Sequence, residues 1–307
     1  MINASVKRRG SIRLTRADRI YQVCLYTLVS ILLLCSLFPL VYVLCLSFTS
    51  QQEIYARGPL MIVPYEPTLR AYRQIFGYSN TYIMGFVVSI ARTVIGTCLT
   101  TLFSLFLGYG LSIRKLPGRR TMLFIVMVTV LYGGGMIPNF LTVQQTGLLN
   151  TFWCMIIPGL VNSWNVLVFK QFFSNLPEEV KEAGYIDGCS ETRMLFSVVL
   201  PMSLPVLAAL GLFTAVDHWN AWFDAMIYIQ SNRSLYPLQL LLHNLFVDAN
   251  LGFTVGGTEV FDIEAVSSST TSIRMAVTVI SVLPILCVYP FLQKYFVKGV
   301  YVGAVKG

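Results

Sequence analysis

Apolar residues run along this chain in six long blocks, roughly 20–48, 81–112, 121–141, 152–172, 202–229 and 272–294, separated by polar or glycine- and proline-broken segments. Each block can cross about 30 Å of hydrocarbon as a helix rising about 1.5 Å per residue. The pattern therefore predicts an all-α, polytopic membrane protein with six transmembrane helices. Pro39 marks a kink in the first span. The run Gly133-Gly134-Gly135 with Pro138 weakens the third and lets neighbouring backbones pack closely. Between the first two spans, Leu69, Tyr72, Ile75 and Phe76 give a short helix over 68–76 an apolar edge, suited to rest on the bilayer surface or to touch an extracytoplasmic partner. The loop 231–271 between the last two spans is too long for a simple connection and is expected to be functional or mobile.

Composition agrees. Of 307 residues, 55% are apolar and only 12% charged, and mean hydropathy is +0.68; soluble domains carry about a quarter charged residues. A net charge of +8 is ambiguous until its distribution is read. With the N-terminus in the cytosol, 16 of the 22 Lys and Arg residues fall on the inside, in the groups Lys7–Arg19, Arg114–Arg120, Lys170–Arg193 and Lys294–Lys306. Arg57, Arg70, Arg73, Arg233 and Arg274 fall outside, and Arg92 lies within a span. That bias places both termini in the cytosol and argues against a nucleic-acid partner. Residues 1–19 read as a basic tail lying against anionic headgroups. The apolar run after it is about twice the length of a signal-peptide core and is expected to be retained as a span. Of the seven cysteines, six sit in apolar spans and only Cys189 faces the cytosol, so no disulfide framework is expected.

Several polar residues inside spans are candidates for a substrate pathway. Arg92 would lie about 18 Å below the outer end of its helix, where a charge is costly and points to function. The plain alternative is a structural pairing with an acid such as Asp217. Asn162, Trp164 and Asn165 lie near the middle of the fourth span. On an unbroken fifth helix, Asp217, Asn220, Ala221, Asp224 and Tyr228 share one face. They either line a path or hold the bundle together, and Trp219 and Trp222 could offer flat faces to sugar rings. His218 has no second ligand at metal spacing, so no metal site is expected. The chain carries no Walker A loop, HExxH or GxSxG, and catalysis is not expected of it.

The stretch Glu182–Pro201, EAGYIDGCSETRMLFSVVLP, is a charged insert between two spans. Leu176-Pro177-Glu178-Glu179 suits a helix start, with acids at the positive end of the dipole. Small Ala183 and Gly184 would allow close approach of another protein, and Gly188 permits a bend. Met194, Leu195, Val198 and Val199 then recur at helical spacing until Pro201. The residues alone are equally compatible with a solvated loop helix.

The spacing of Glu182-Ala183-Gly184, Gly188, Val198 and Leu200-Pro201 resembles the EAA loop of membrane-spanning subunits of ATP-binding-cassette importers, with Gly184 in place of an Ala and Val198 in place of an Ile. LPEEVKEAGYIDG, the Trp219-Asn220 pair and the terminal KGVYVGAVKG are similar to carbohydrate-uptake permeases of maltose-type, binding-protein-dependent systems. GGGMIP followed by TGLLNT is closer to the subgroup that takes up complex, including uronate-containing, oligosaccharides. The resemblance implies a type I importer permease fold over 20–298, with a coupling loop at 176–201 and a cytosolic tail at 299–307. It also implies a second permease, two ATPase subunits carrying ATP and Mg, an extracytoplasmic solute-binding protein and a sugar substrate, in a prokaryotic cytoplasmic membrane. The chain itself would bind no cofactor. Glu182, Ala183, Gly184, Asp187, Gly188, Leu200 and Pro201 would couple to the ATPase. Val305, Lys306 and Gly307 would touch it, and Leu241, His243, Asn244, Asp248 and Asn250 would reach toward the binding protein. The rival classes are an ion-coupled secondary transporter, against which the missing internal repeat speaks, and a membrane enzyme, against which two unclustered histidines speak.

Overall fold

The computed structural model describes residues 15–58, 63–77, 80–250 and 270–304. Most of the basic tail, the segment 251–269 and Val305-Lys306-Gly307 lie outside the described residues. Every regular element among the described residues is helical: α1 (Arg16–Ser47), α2 (Gln51–Arg57), α3 (Arg70–Gly77), α4 (Asn80–Ser112), α5 (Arg119–Leu131), α6 (Met136–Gln145), α7 (Ser163–Ser174), α8 (Glu178–Ile186), α9 (Glu191–Met194), α10 (Leu200–Met202), α11 (Leu204–Asn220), α12 (Phe223–Tyr228), α13 (Leu238–Asn250) and α14 (Thr270–Ala304).

Among the described residues, only α1, α4 and the Thr271–Pro290 part of α14 are individually long and apolar enough to cross a bilayer, and there are up to six spans if each of three bent helix pairs is one span. Three of the expected spans are not single helices: 121–141 bends at the triple glycine expected to weaken it, 152–172 begins as 3₁₀ turns, and 202–229 stops at Ala221–Trp222, while the bend ahead of α11 falls where Pro201 was expected to end a helix. Between α5 and α6 the axis turns by 118° at the triple glycine, where Gly135 adopts φ +85°. Ahead of α7, two 3₁₀ turns containing Pro158 meet the helix at 46°, and the Asn162 side chain caps α7 by accepting from the Asn165 N–H at 3.0 Å. Glu191–Met202 meets α11 at 81° around Ser203, between Pro201 and Pro205. By contrast, Pro39 sits inside α1 without ending it. The first helix also starts before the expected 20, because Thr15 and Asp18 form a capping box; Arg16 and Arg19 therefore belong to α1.

The bundle is built around α4. Gly85, Ser89, Arg92, Gly96, Thr100, Ser104, Gly108 and Ser112 are buried along it, three or four residues apart, so they form one seam of small side chains broken by a single charge. At Gly108 a Cβ would lie 2.6 Å from Phe169 Cβ and 3.0 Å from the Val166 carbonyl oxygen, which shows how closely α7 approaches. At Gly96 the His218 ring of α11 occupies that space at 2.7 Å. At one end of α4, Leu105, Tyr109, Phe169, Phe173, Met194, Leu195, Val199 and Leu210 form a buried cluster. Phe169 and Phe173 stack there at 5.8 Å and Tyr109 meets Phe173 edge-on. Near the other end, Ala71 and Ile75 of α3 are buried against Leu238, Ala276 and Val277, while Leu69 and Phe76 stay exposed.

Candidate functional site

The segment 176–201 folds as two short helices around a closed bend. α8 starts after Pro177 with Glu178 and Glu179 in its first turn. It ends in a Schellman closure: the Gly188 N–H donates to the Tyr185 carbonyl at 3.1 Å and the Cys189 N–H to the Gly184 carbonyl at 2.9 Å. Gly188, at φ +75°, is the left-handed residue this closure requires. Ser190 then caps α9, and a π-turn over Leu195–Val199 leads into Pro201, which cannot donate an i→i−4 bond.

Glu182, Ala183, Tyr185, Ile186 and Asp187 are exposed, with Ile186 at 86%. They form the outward face of α8. Gly184 points the other way, which corrects the expectation that it leaves room for a partner: it is buried, and a Cβ there would lie 2.4 Å from the Met194 methyl. The small residue lets α8 close onto α9. Met194, Leu195 and Val199 are buried as their spacing predicted, while Leu200 is half-buried and Pro201 exposed.

A bridge absent from the sequence reading joins this segment to the membrane bundle. The Glu191 carboxylate accepts from the Tyr185 hydroxyl of α8 at 2.8 Å and from the Tyr109 hydroxyl of α4 at 2.9 Å. The Tyr185 hydroxyl is pushed above its ordinary value, first by this hydrogen bond to the carboxylate and second by burial. Tyr185 and Glu191 flank the bend and could have been paired from sequence; Tyr109 arrives only through tertiary packing. An exposed ion pair at 3.4 Å, Arg114 with Glu178, also spans the two regions but is worth little.

Inside the bundle, Arg92 is 2% exposed and pairs with Asp224, not with Asp217. It also donates to the Ala221 carbonyl at 3.0 Å and the Met155 carbonyl at 3.4 Å. The single polar face expected over 217–228 does not exist, because the helix breaks at Ala221–Trp222 and puts Asp224 and Tyr228 on α12. Asn165 donates to the Thr214 hydroxyl at 2.9 Å, and the Trp219 indole to the Ser281 carbonyl at 3.0 Å. Trp219 is 6% exposed, and what it leaves open lines an apolar cavity with Phe213, Val216, Pro284 and Val288. Trp222 stacks on His243 at 3.9 Å. Of the candidate pathway residues, Asp217 and Asn220 are exposed, Asn220 donating to the Val216 carbonyl of its own helix at 3.0 Å, whereas Arg92, Asn162, Asn165, Trp219 and Asp224 are buried or half-buried and bond within the chain.

On α13, Leu241 packs over Gly85, and Asn244 faces a cleft shared with Asn80 and Arg233. Asp248 and Asn250 end the same helix, and their side chains lie outside the described residues. Among the described residues no group of His, Cys, Asp or Glu is placed to hold a metal ion.

This architecture of broken spans around one long helix has known counterparts. Its fold is similar, at a TM-score of 0.83 and 28% identity over 93% of this chain and 100% of the other, to a chain in the crystal structure of a bacterial ABC transporter involved in the import of the acidic polysaccharide alginate. In sequence it is 36% identical over 294 residues (94% of this chain and 99% of the other) to the polygalacturonan/rhamnogalacturonan transport system permease protein YtcP of Bacillus subtilis. It is 38% identical over 293 residues to the protein LplC of the same organism, covering 95% and 97% of the two chains. The model of the family described as the binding-protein-dependent transport system inner membrane component matches residues 11–301, so this chain belongs to that family of ABC transporter permeases.

Proposed function

We propose that this chain is one of two permease subunits of an ATP-driven importer for oligosaccharides, of the uronate-containing kind, and that it turns nucleotide-driven movement of α8 into movement of α4. The class of substrate is supported by the relatives, one named for polygalacturonan and rhamnogalacturonan and another for alginate. The observation that carries the mechanism is the exposed face of α8, with Glu182 free of any ion pair among the described residues, on a segment bonded to the bundle through Glu191.

In this reading two ATPase subunits, which carry the ATP and Mg, close against α8 and its equivalent on a second permease. A solute-binding protein delivers the sugar to the opposite face, near α13. Both termini are placed in the cytosol in this reading, which the distribution of basic residues supports. The outward face of α8 moves with the ATPase, and the bundle alternates between two arrangements because its packed interior shifts as blocks and does not deform smoothly. Val305-Lys306-Gly307 would reach the ATPase pair.

The test is Glu182→Ala in the assembled transporter. Loss of sugar-stimulated ATP hydrolysis and of uptake is expected; full retention of both would refute the coupling role. Uptake should also stop on ATP depletion and survive collapse of the proton gradient, which an ion-coupled carrier would not do.

A further inference from the structure

We propose that the cleft at the outer end of α4 is a subsite for one carboxylate-bearing sugar unit of the incoming oligosaccharide, with Arg233 as its anion contact. This inference rests on the oligosaccharide-import reading and adds to it a place and a charge.

The cleft has a volume of about 650 Å³ and lies between the first turn of α4, the 3₁₀ turn that carries Arg233 and Ser234, and α13. That is within the roughly 300–1,000 Å³ of small-molecule sites. Asn80, Ser234 and Asn244 line it with amides and a hydroxyl, groups that both donate and accept, as sugar hydroxyls do. Among the described residues Arg233 is the only charged one in the wall, and it offers a guanidinium fork for a carboxylate. Among the described residues Arg233 is exposed and makes no ion pair. Arg92, the intramembrane cation that an acidic sugar would otherwise meet, is already paired with Asp224.

The walls are held from behind. The Asn150 side-chain oxygen accepts from the Gln230 and Ser231 N–H groups at 2.7 and 2.8 Å, fixing the chain just ahead of Arg233. The Leu238 N–H donates to Ser89 of α4 at 2.8 Å, and Leu241 fills the space a Cβ at Gly85 would need, so α13 is seated directly on α4. A site placed on such fixed elements needs little ordering when a ligand arrives.

An oxyanion at Arg233 has two sources, a sugar carboxylate or a lipid phosphate, and the first is favoured because Asn80, Ser234 and Asn244 share the wall with the cation, beside the apolar faces of Met84, Tyr236 and Leu241 on which a sugar ring can rest. The experiment uses the complete transporter, with its partner permease, ATPase pair and binding protein, in proteoliposomes. Uptake of trigalacturonate is compared with uptake of its methyl ester for wild type, Arg233→Ala and Arg233→Lys. Arg233→Ala should raise KM for trigalacturonate roughly tenfold or more, the cost of a lost charge-assisted hydrogen bond. The ester should change by less than about twofold, as for an ordinary surface substitution. Arg233→Lys should recover part of the loss. The same contrast should persist in vesicles of phosphatidylcholine alone. An unchanged KM, an equal loss on both saccharides, or an effect confined to vesicles containing anionic lipid would overturn the subsite. Wild-type transporter that imports neither saccharide would instead overturn the import reading beneath it.

Discussion

Replacing Tyr185 with Phe removes one oxygen from the bridge between α8 and α4 and leaves the ring in place. A hydrogen bond to a charged acceptor contributes about 1.5–3 kcal/mol when sheltered. The Tyr185 side chain is half-exposed, and water can replace it at the carboxylate, so the loss of stability should be only about 0.5–1 kcal/mol. Glu191→Ala is more severe. It frees both tyrosines and strands the hydroxyl of Tyr109, a residue 8% exposed, at about 1–3 kcal/mol. If the bridge carries movement from α8 to α4, the energy lost from it is lost from the coupling between ATPase and bundle. Sugar imported per ATP hydrolysed should then fall roughly two- to fivefold in Tyr185→Phe and further in Glu191→Ala. Glu191→Gln, whose amide still accepts from one tyrosine and donates to the other, should recover most of it. The assay is paired measurement of uptake and phosphate release in proteoliposomes, with thermal stability recorded for each variant. Folded Tyr185→Phe and Glu191→Ala transporters with wild-type stoichiometry would refute the reasoning, since a merely structural bridge changes stability and not the ratio.

Other perturbations follow from particular contacts. Gly184→Ala puts a Cβ 2.4 Å from the end of Met194, so it should destabilise the loop, and Met194→Ala in the same chain should recover much of that loss in a thermal-unfolding cycle. Gly108→Ala meets backbone and the Phe169 Cβ, with no flexible tip to move, and should cost about 1–3 kcal/mol or more, read as lower melting temperature and yield in detergent. Asp224→Ala leaves Arg92 buried without its acid, for which about 3–5 kcal/mol is usual, whereas Asp217→Ala should leave stability near wild type; similar melting temperatures for the two would count against the assigned pair. The Glu53 carboxyl is held below its ordinary 4.5, first by the Tyr65 N–H and also by Arg57, so its folded-state value is depressed. Its stabilising contribution is present above pH 4.5 and lost as the pH falls through that lower value, and hydrogen exchange in 51–58 should rise there and not at neutral pH.

The apolar blocks were visible in the sequence because hydrocarbon thickness imposes a length on them, and α1, α4 and α14 follow that length. The bend in 176–201 was legible for a different reason: Pro177 precedes a helix start with two acids, and Gly188 can take the left-handed conformation that closes one. The breaks in the other spans were harder. Apolar character continues through Ile156-Ile157-Pro158 and Ala221-Trp222-Phe223, so hydropathy registers no interruption where the helix stops. The seam on α4 was available in principle, since Gly85, Ser89, Arg92, Gly96, Thr100, Ser104 and Gly108 follow at steps of three and four. It is hidden by the apolar residues on the rest of that helix.

Arg92 shows how the two kinds of missing information belong together. From sequence it is a charge out of place in a membrane, with pairing to an acid as the plain alternative. In the structure its partners include two carbonyls, those of Ala221 and Met155, that lie where the chain departs from a regular α-helix. Backbone oxygens freed at a helix break have no water to turn to in hydrocarbon and must be satisfied from within the protein. A guanidinium, with donors pointing several ways, can serve two such breaks and an acid at once. The charge therefore follows from the breaks, and Asp224 balances it. An Arg92→Lys chain keeps the charge but not the fork, so it should recover little of the stability that Arg92→Met loses. Full recovery by lysine would mean that the pairing with Asp224, and not the carbonyls, is what the position requires.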